Sequence, residues 1–165
     1  DFYSQEILHI SIKNQKTKFF FMTDSANINQ KIYNNLKDKN YKLVIASTTR
    51  RTNMDIYCNE NTNIISKANI NDYFSLVYTR EDAKEIKPNP EIYSRILNEL
   101  KVRKEQCLIF EDSLIGIEAA NNAGIEAVAM YDKYSDMERE EIEKKATYSF
   151  NNYREVIQTL LKENL

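Results

Sequence analysis

Short apolar runs and longer amphipathic stretches alternate along this chain, which predicts strands and helices in turn. The runs are four to six residues long, and most are apolar on consecutive positions, as in strands buried on both faces. They predict strands over residues 42–46, 73–78, 107–110, 126–130 and 147–150. Residues 18–22 form a sixth apolar run, whose length fits a buried strand and part of a buried helix equally well.

Between these runs, apolar residues recur at helical spacing. The spacing predicts helices over residues 28–39, 90–100, 114–123 and 153–161. Pro90 is expected in the first turn of its helix, and Gly124 as a left-handed C-terminal cap. One or two short helices are expected within residues 52–71, and an exposed helix or loop over residues 132–145.

The alternation of fully apolar strands with helices is typical of one fold class. It predicts an α/β, Rossmann-like parallel sheet with helices on both faces. In such sheets, ligands bind at the carboxyl ends of the strands, near the point where the strand order reverses. Residues that follow the predicted strands are therefore the first candidates for chemistry.

Length and charge narrow the range of functions. The chain has 165 residues, which suggests a single domain with a sizeable core. Its 23 basic and 25 acidic residues leave a net charge of −2, which gives no general attraction to nucleic acid or to an anionic membrane. Apolar runs stay well below the ~18 residues that span a bilayer. A nucleic-acid or membrane partner is therefore not expected.

The cysteines argue for a reducing compartment. Cys58 and Cys107 are far apart, and together with the single His9 they cannot complete a zinc site. Two reduced thiols are the simplest interpretation, which favours a cytoplasmic location.

Three polar groups follow strands or feed the next unit, and parallel strands would bring them to one edge of the sheet. Ser47 and Thr48 offer hydroxyl and amide donors to a phosphate. Lys87, set between restrained Lys-Pro-x-Pro backbone positions, could neutralise a phosphoryl group or a carboxylate. Glu111 and Asp112 would repel each other unless a cation lay between them, and Mg²⁺ suits that position.

Each of these groups can also be explained by a structural role alone. Lys87 fits a solvated surface lysine, and Ser47-Thr48 fits a turn before the next helix. Either Asp112 or Ser113 fits the N-cap of the helix that follows, and capping is compatible with metal binding. Arg50-Arg51 could add affinity for phosphate or could simply be solvated.

Two stretches carry a family resemblance. Residues 87–93 read Lys-Pro-Asn-Pro-Glu-Ile-Tyr, and residues 107–125 read an apolar strand, Glu-Asp-Ser, then Gly-Ile, Ala-Ala and Ala-Gly. At these spacings the chain resembles the haloacid dehalogenase-like superfamily, most closely its β-phosphoglucomutase-like branch. Both glycines of the chain fall on pattern positions, and residues 43–47 fit the family's second motif. The resemblance covers about residues 28–160.

The resemblance implies a Mg²⁺-dependent phosphomonoester hydrolase that acts on a small phosphorylated metabolite through an aspartyl-phosphate intermediate. Ser47 and Thr48 would bind the transferred phosphoryl group, and Lys87 would offset its negative charge. Asp112 would hold Mg²⁺, with Glu111 as a second carboxylate ligand or as a partner behind it. A sugar-phosphate mutase of the same family and a non-catalytic binding or regulatory protein that retains the fold are the alternatives.

One element of the family pattern is not found. The family's first motif is an apolar strand ending in Asp-x-Asp, whose first Asp is the nucleophile. Asp24 follows an apolar run, but Ala26 stands where the second Asp is expected, and Asp1 lacks a preceding strand. The nucleophile is therefore left unassigned and is expected upstream of Asp1, in a segment that also carries most of a helical cap.

This departure sets the expected domain division. Residues 1–23 are assigned to a remnant of the cap or a linker, and residues 24–165 to the core domain. The alternative is that residues 18–22 fill the central position of the sheet, where a missing strand would leave backbone groups unpaired.

Overall fold

A six-stranded parallel sheet is the centre of the fold in the computed structural model, which describes residues 18–22, 41–67, 69–152 and 155–156. The strands are β1 Lys18–Met22, β2 Tyr41–Ala46, β3 Phe74–Tyr78, β4 Cys107–Glu111, β5 Glu126–Met130 and β6 Tyr148–Phe150. Their order is β3-β2-β1-β4-β5-β6, and every neighbouring pair is parallel. The prediction of a Rossmann-like parallel sheet is confirmed.

Helices cover both faces of this sheet. They are α1 Arg51–Asn59, α2 Thr62–Lys67, α3 Ile70–Tyr73, α4 Glu91–Leu100, α5 Leu114–Ala123 and α6 Arg139–Lys145. Short 3-10 segments lie at Arg80–Asp82, Lys104–Gln106 and Lys133–Glu138. Because crossovers between parallel strands are right-handed, α1 to α3 and α4 to α6 lie on opposite faces. Contacts of α5 with both α4 and α6 agree with this arrangement.

Strand β1 settles an alternative that the sequence leaves open. It lies between β2 and β4, with Phe20 in register with Leu43 on one side and with Leu108 on the other. Residues 18–22 therefore form the central strand of the sheet, where the backbone groups of β2 and β4 need a partner. The prediction for residues 1–17 and the predicted helix over residues 28–39 lie outside the described residues.

Burial on both faces explains the fully apolar runs. All five residues of β4 are buried. Val44 and Ile109 pack with Tyr93 and Ile117 in the core beneath α4 to α6. Alternate strand residues point to the other face, where Leu108 is 4% exposed. No helix within the described ranges is long and apolar enough to cross a membrane.

The helical boundaries follow the predictions with local differences. The region of residues 52–71 holds three short helices, and the stretch of residues 132–145 is part 3-10 and part α-helix. Pro90 is the N-cap of α4 and so lies just outside its first turn. Of the predicted helix over residues 153–161, the structure describes residues 155 and 156.

Both cysteines are buried, and neither forms a disulfide. Burial, with a smaller contribution from Glu105, raises the pKa of the Cys107 thiol to about 12. The thiol of Cys107 is therefore held in its protonated form in the core.

Two helices end on left-handed residues of different type, which gives a matched test. Gly124 caps α5 with φ 68°, whereas Lys101 caps α4 with φ 54°. We expect Gly124→Ala to lower the free energy of unfolding by about 1–2 kcal/mol, since a Cβ is unfavourable at this φ. Lys101→Gly should raise it by about 0.5–1 kcal/mol for the same reason. Urea titrations followed by circular dichroism measure both changes, and two shifts of the same sign would contradict this account.

Candidate active site

The candidate site lies at the carboxyl end of the sheet, beside the point where the strand order reverses. Connections from β1 and β4 leave toward opposite edges there, which opens a crevice. A pocket of about 240 Å³ occupies this region. It is lined by Thr48, Arg80, Ile86, Lys87, Glu111, Asp112, Ser113 and Ile115. The loops that follow β2, β3 and β4 all contribute, as the sequence predicts for the three polar groups.

A buried ion pair forms the floor of the pocket. The Nζ of Lys87 lies 2.6 Å from Oε1 of Glu111, and the two residues are 7% and 2% exposed. The same ammonium donates to the carbonyl oxygen of Ala46 at 3.0 Å. Lys87 is therefore not a solvated surface lysine: its charge is compensated and its position is fixed against the end of β2.

Tyr93 on α4 completes this arrangement. Its hydroxyl donates to Oε1 of Glu111 at 2.5 Å, and the centre of its ring lies 5.2 Å from Nζ of Lys87. The sequence analysis missed this residue, because at helical spacing it looks like one more apolar position of α4. Its only distinguishing signal was a hydroxyl on a helix face that the pattern predicts to be fully buried.

Gly116 makes room for the carboxylate. A Cβ at this position would lie 2.0 Å from Oε2 of Glu111, so only glycine lets α5 pack this closely against the ion pair. The position of this glycine in the sequence pattern thus has a steric cause at the site itself.

The loop after β2 presents Thr48 to the pocket. Ser47 is fully buried, its amide donates to the carbonyl oxygen of Tyr78 at 3.0 Å, and its Oγ accepts from the amide of Thr49 at 2.9 Å. This is the tight local turn that was the structural alternative for Ser47-Thr48. Thr48 lines the pocket, whereas Ser47 shapes the turn that places it there.

After β4, different residues cap α5 and carry the pocket carboxylate, which the sequence alone could not tell apart. Ser113 is the N-cap of α5 and accepts from the amide of Gly116 at 3.2 Å. Asp112 lines the pocket instead. The capping role therefore belongs to Ser113 and not to Asp112.

The donor set suits Mg²⁺ through Asp112. Within the described residues there is no group of three or more acidic, histidine or cysteine side chains that could hold a metal. Oε1 of Glu111 is engaged by Lys87 and Tyr93, and its other oxygen faces Gly116. Mg²⁺ commonly takes one or two carboxylates, together with water and substrate phosphate. Asp112 fits as such a ligand, and the geometry favours Glu111 as the partner behind it.

The three arginines near the pocket differ in their bonding partners and in whether they line the pocket. The Arg51 guanidinium bonds to Asp82 and to the carbonyl oxygen of Val77, so it ties the start of α1 to β3 and to the loop after β3. Arg50 is exposed and does not line the pocket. Arg80 does line it, and the sequence analysis missed this residue within a polar loop.

The candidate nucleophiles Asp1 and Asp24 lie outside the described residues.

Comparison with known proteins places the chain in a family. The family described as haloacid dehalogenase-like hydrolase matches residues 6–130, which is more than half of the chain. The chain belongs to this family. The resemblance inferred from residues 87–93 and 107–125 is thereby confirmed, including its β-phosphoglucomutase-like branch.

Three known proteins illustrate the likeness. A phosphorylated carbohydrates phosphatase of Thermotoga maritima is 34% identical over 93 residues, which are 56% of this chain and 40% of that protein. The crystal structure of CbbY from Rhodobacter sphaeroides in complex with phosphate has a TM-score of 0.65 at 26% identity, covering 76% of this chain and 53% of that one. The β-phosphoglucomutase of Clostridium difficile shares the fold, with a TM-score of 0.57 at 24% identity, covering 80% and 54%.

This chain therefore spans about 40% of the length of the curated Thermotoga relative and about half of the two solved chains.

Substitution at Gly116 tests the packing of α5 against the carboxylate. Helix propensity alone predicts that Gly116→Ala stabilises α5 by about 1 kcal/mol. We expect the opposite sign, a loss of about 2 kcal/mol or more, because Lys87 and Tyr93 hold the buried carboxylate where the new Cβ would lie. Chemical denaturation gives the sign directly, and a stabilised variant would show that Glu111 can move away at little cost.

The ion pair is tested by a double-mutant cycle. We expect Lys87→Met to cost about 3–5 kcal/mol, because it leaves the Glu111 carboxylate buried without its counter-charge. Adding Glu111→Gln should recover most of that loss, since the amide still accepts from Tyr93 and no charge remains. The free energies of unfolding of both single variants and the double variant measure the coupling. Additive losses would contradict the pairing.

Proposed function

We propose that this domain carries the core of a Mg²⁺-dependent phosphomonoester hydrolase acting on a small phosphorylated metabolite. The observation that carries the proposal is the Lys87–Glu111 pair beneath an open pocket at the switch point of the sheet, with Asp112 on the pocket wall. Phosphoryl transfer depends mainly on positioning and on compensation of negative charge. A cation held in place and a carboxylate suited to Mg²⁺ meet both needs.

Each side chain has a defined task in this proposal. Lys87 offsets negative charge on the transferred phosphoryl group, and Glu111 and the Ala46 carbonyl oxygen keep its ammonium in one place. Thr48 donates to the phosphoryl oxygens from the turn that Ser47 shapes. Asp112 holds Mg²⁺, which supplies further positive charge to the reacting phosphate.

The reaction begins with attack of an Asp carboxylate on phosphorus, which breaks the bond between phosphorus and the ester oxygen. The departing oxygen takes a proton from water and leaves as the alcohol. Water then hydrolyses the aspartyl-phosphate and releases inorganic phosphate. Asp24 follows the end of β1 by two residues in the sequence, and β1 lies between β2 and β4. Asp24 is one candidate for the nucleophile, Asp1 is a second, and a residue outside this sequence is the third.

Hydrolysis is favoured over the alternatives. A sugar-phosphate mutase would use the same first step and return the phosphoryl group to a sugar, and the curated relative described above bears the name of a phosphatase. A non-catalytic protein would have no evident need for Lys87, Glu111 and Asp112 at one sheet edge.

Two buried thiols outside any disulfide support a cytoplasmic location.

Phosphate release from a panel of phosphomonoesters tests the function in the longest natural form of the protein. We expect release that depends on Mg²⁺ and stops with EDTA. Asp112→Asn should lower kcat/KM by about 10²–10³-fold, as expected when one charge-stabilising group is lost. Lys84→Gln removes an exposed charge from the loop of Lys87 and should have no effect.

Asp24→Asn locates the nucleophile in the same assay. Loss of all turnover would assign it to Asp24, and unchanged turnover would place it elsewhere in the natural protein. Absence of release from every ester, or an Asp112→Asn variant as active as wild type, would overturn the proposal.

A further inference from the structure

Arg80 occupies a fixed place at the wall of the pocket. Arg80 lines the pocket together with Thr48 and Lys87, and the residue is exposed. Its backbone amide donates to the carbonyl oxygen of Thr49 at 3.0 Å, which ties the loop after β3 to the loop after β2. The guanidinium therefore starts from a backbone position that the sheet edge determines.

Hydrogen bonds close the turn that carries Arg80. Thr79, which is fully buried, donates to Oδ2 of Asp82 through its amide at 2.7 Å and through its hydroxyl at 2.9 Å. The amide of Asp82 also donates to the carbonyl oxygen of Thr79 at 3.0 Å, so Thr79 and Asp82 are bonded to each other on both sides of Arg80 and Glu81. A side chain on such a turn loses less freedom on binding a ligand than one on an open loop.

The acidic neighbours of Arg80 are already committed to Arg51. Oε2 of Glu81 accepts from the amide of Arg51 at 2.8 Å, and this bond lowers the pKa of Glu81 and keeps the carboxylate ionised. Asp82 pairs with the Arg51 guanidinium. Within the described part of the chain, the Arg80 guanidinium forms no hydrogen bond or ion pair, so its charge remains available to a ligand in the pocket.

The two cations of the pocket, Lys87 and Arg80, therefore differ in whether a carboxylate compensates their charge. Glu111 compensates Lys87 at the floor, where the phosphoryl group is proposed to bind. Nothing described compensates Arg80 at the exposed wall. The same pocket is lined by Ile86 and Ile115, which are 52% and 51% exposed and offer apolar surface to a short carbon chain.

We infer that Arg80 is a specificity-determining residue that binds a second anionic group on the substrate, a carboxylate or a second phosphate carried by the leaving group. This inference rests on the proposed function, because it takes the phosphoryl group to lie at Lys87. A guanidinium binds either anion through two parallel hydrogen bonds. The preferred substrates are then small phosphorylated acids or bisphosphates, over esters with an uncharged leaving group.

Binding of non-hydrolysable phosphonates tests this inference without turnover. The probes are propylphosphonate, 3-phosphonopropionate and propane-1,3-bisphosphonate, titrated calorimetrically with Mg²⁺ into the longest natural form of the protein. We expect at least one of the two doubly anionic probes to bind about tenfold more tightly than propylphosphonate, as one well-placed charge-assisted contact provides. Whichever of them binds more tightly identifies the second group as carboxylate or phosphate.

Three variants separate Arg80 from general charge effects. Arg80→Gln should erase the tenfold preference and leave propylphosphonate binding unchanged. Arg80→Lys should keep part of the preference, because it retains the charge but not the paired donors. Lys84→Gln, which removes one positive charge from the same loop, should keep all of it.

The outcomes distinguish failure of the inference from failure of the proposed function. Equal affinity of the wild type for all three probes, or an Arg80→Gln variant that weakens all three equally, overturns the inference and leaves the hydrolase intact. Absence of binding of every phosphonate overturns both.

Discussion

The ion pair between Lys87 and Glu111 is the interaction on which the rest of the site depends. Removing two charges from water is costly, and their attraction compensates only when the remaining hydrogen-bonding capacity is also used. Here the Ala46 carbonyl oxygen and the Tyr93 hydroxyl use it. The pair therefore links the end of β2, the loop before α4, α4 itself and the end of β4, and it requires glycine at position 116 on α5.

Because of this ion pair, the charged residues of the pocket have different roles. Glu111 is engaged by Lys87 and Tyr93, so Asp112 is the pocket carboxylate better placed for a metal. Lys87 is fixed and charge-compensated at the floor, whereas Arg80 stands on the wall with its charge available. In the proposed function, one pocket thus combines a deep position for the phosphoryl group with an outer position that distinguishes one substrate from another.

Much of the fold was predictable because a strand buried on both faces leaves an unmistakable apolar run, as at residues 107–110. Residues 18–22 could not be assigned, since an apolar run this short fits a strand or a helix, and only pairing with β2 and β4 decides. The sequence also placed Lys87 and Glu111 at one sheet edge. It could not show that they pair with each other, because that depends on the close approach of α5. Nor could it show that Arg80, in a polar loop, lines the pocket.

Binding of inorganic phosphate tests the central claim most directly. Calorimetric titration with Mg²⁺ compares the wild type with the double variant of Lys87→Met and Glu111→Gln, in which neither buried charge remains. We expect one phosphate bound per wild-type chain and at least a tenfold loss of affinity in the double variant, whose circular dichroism shows that it is folded. Equal affinity in the two proteins would contradict the claim that Lys87 forms the floor of a phosphoryl site.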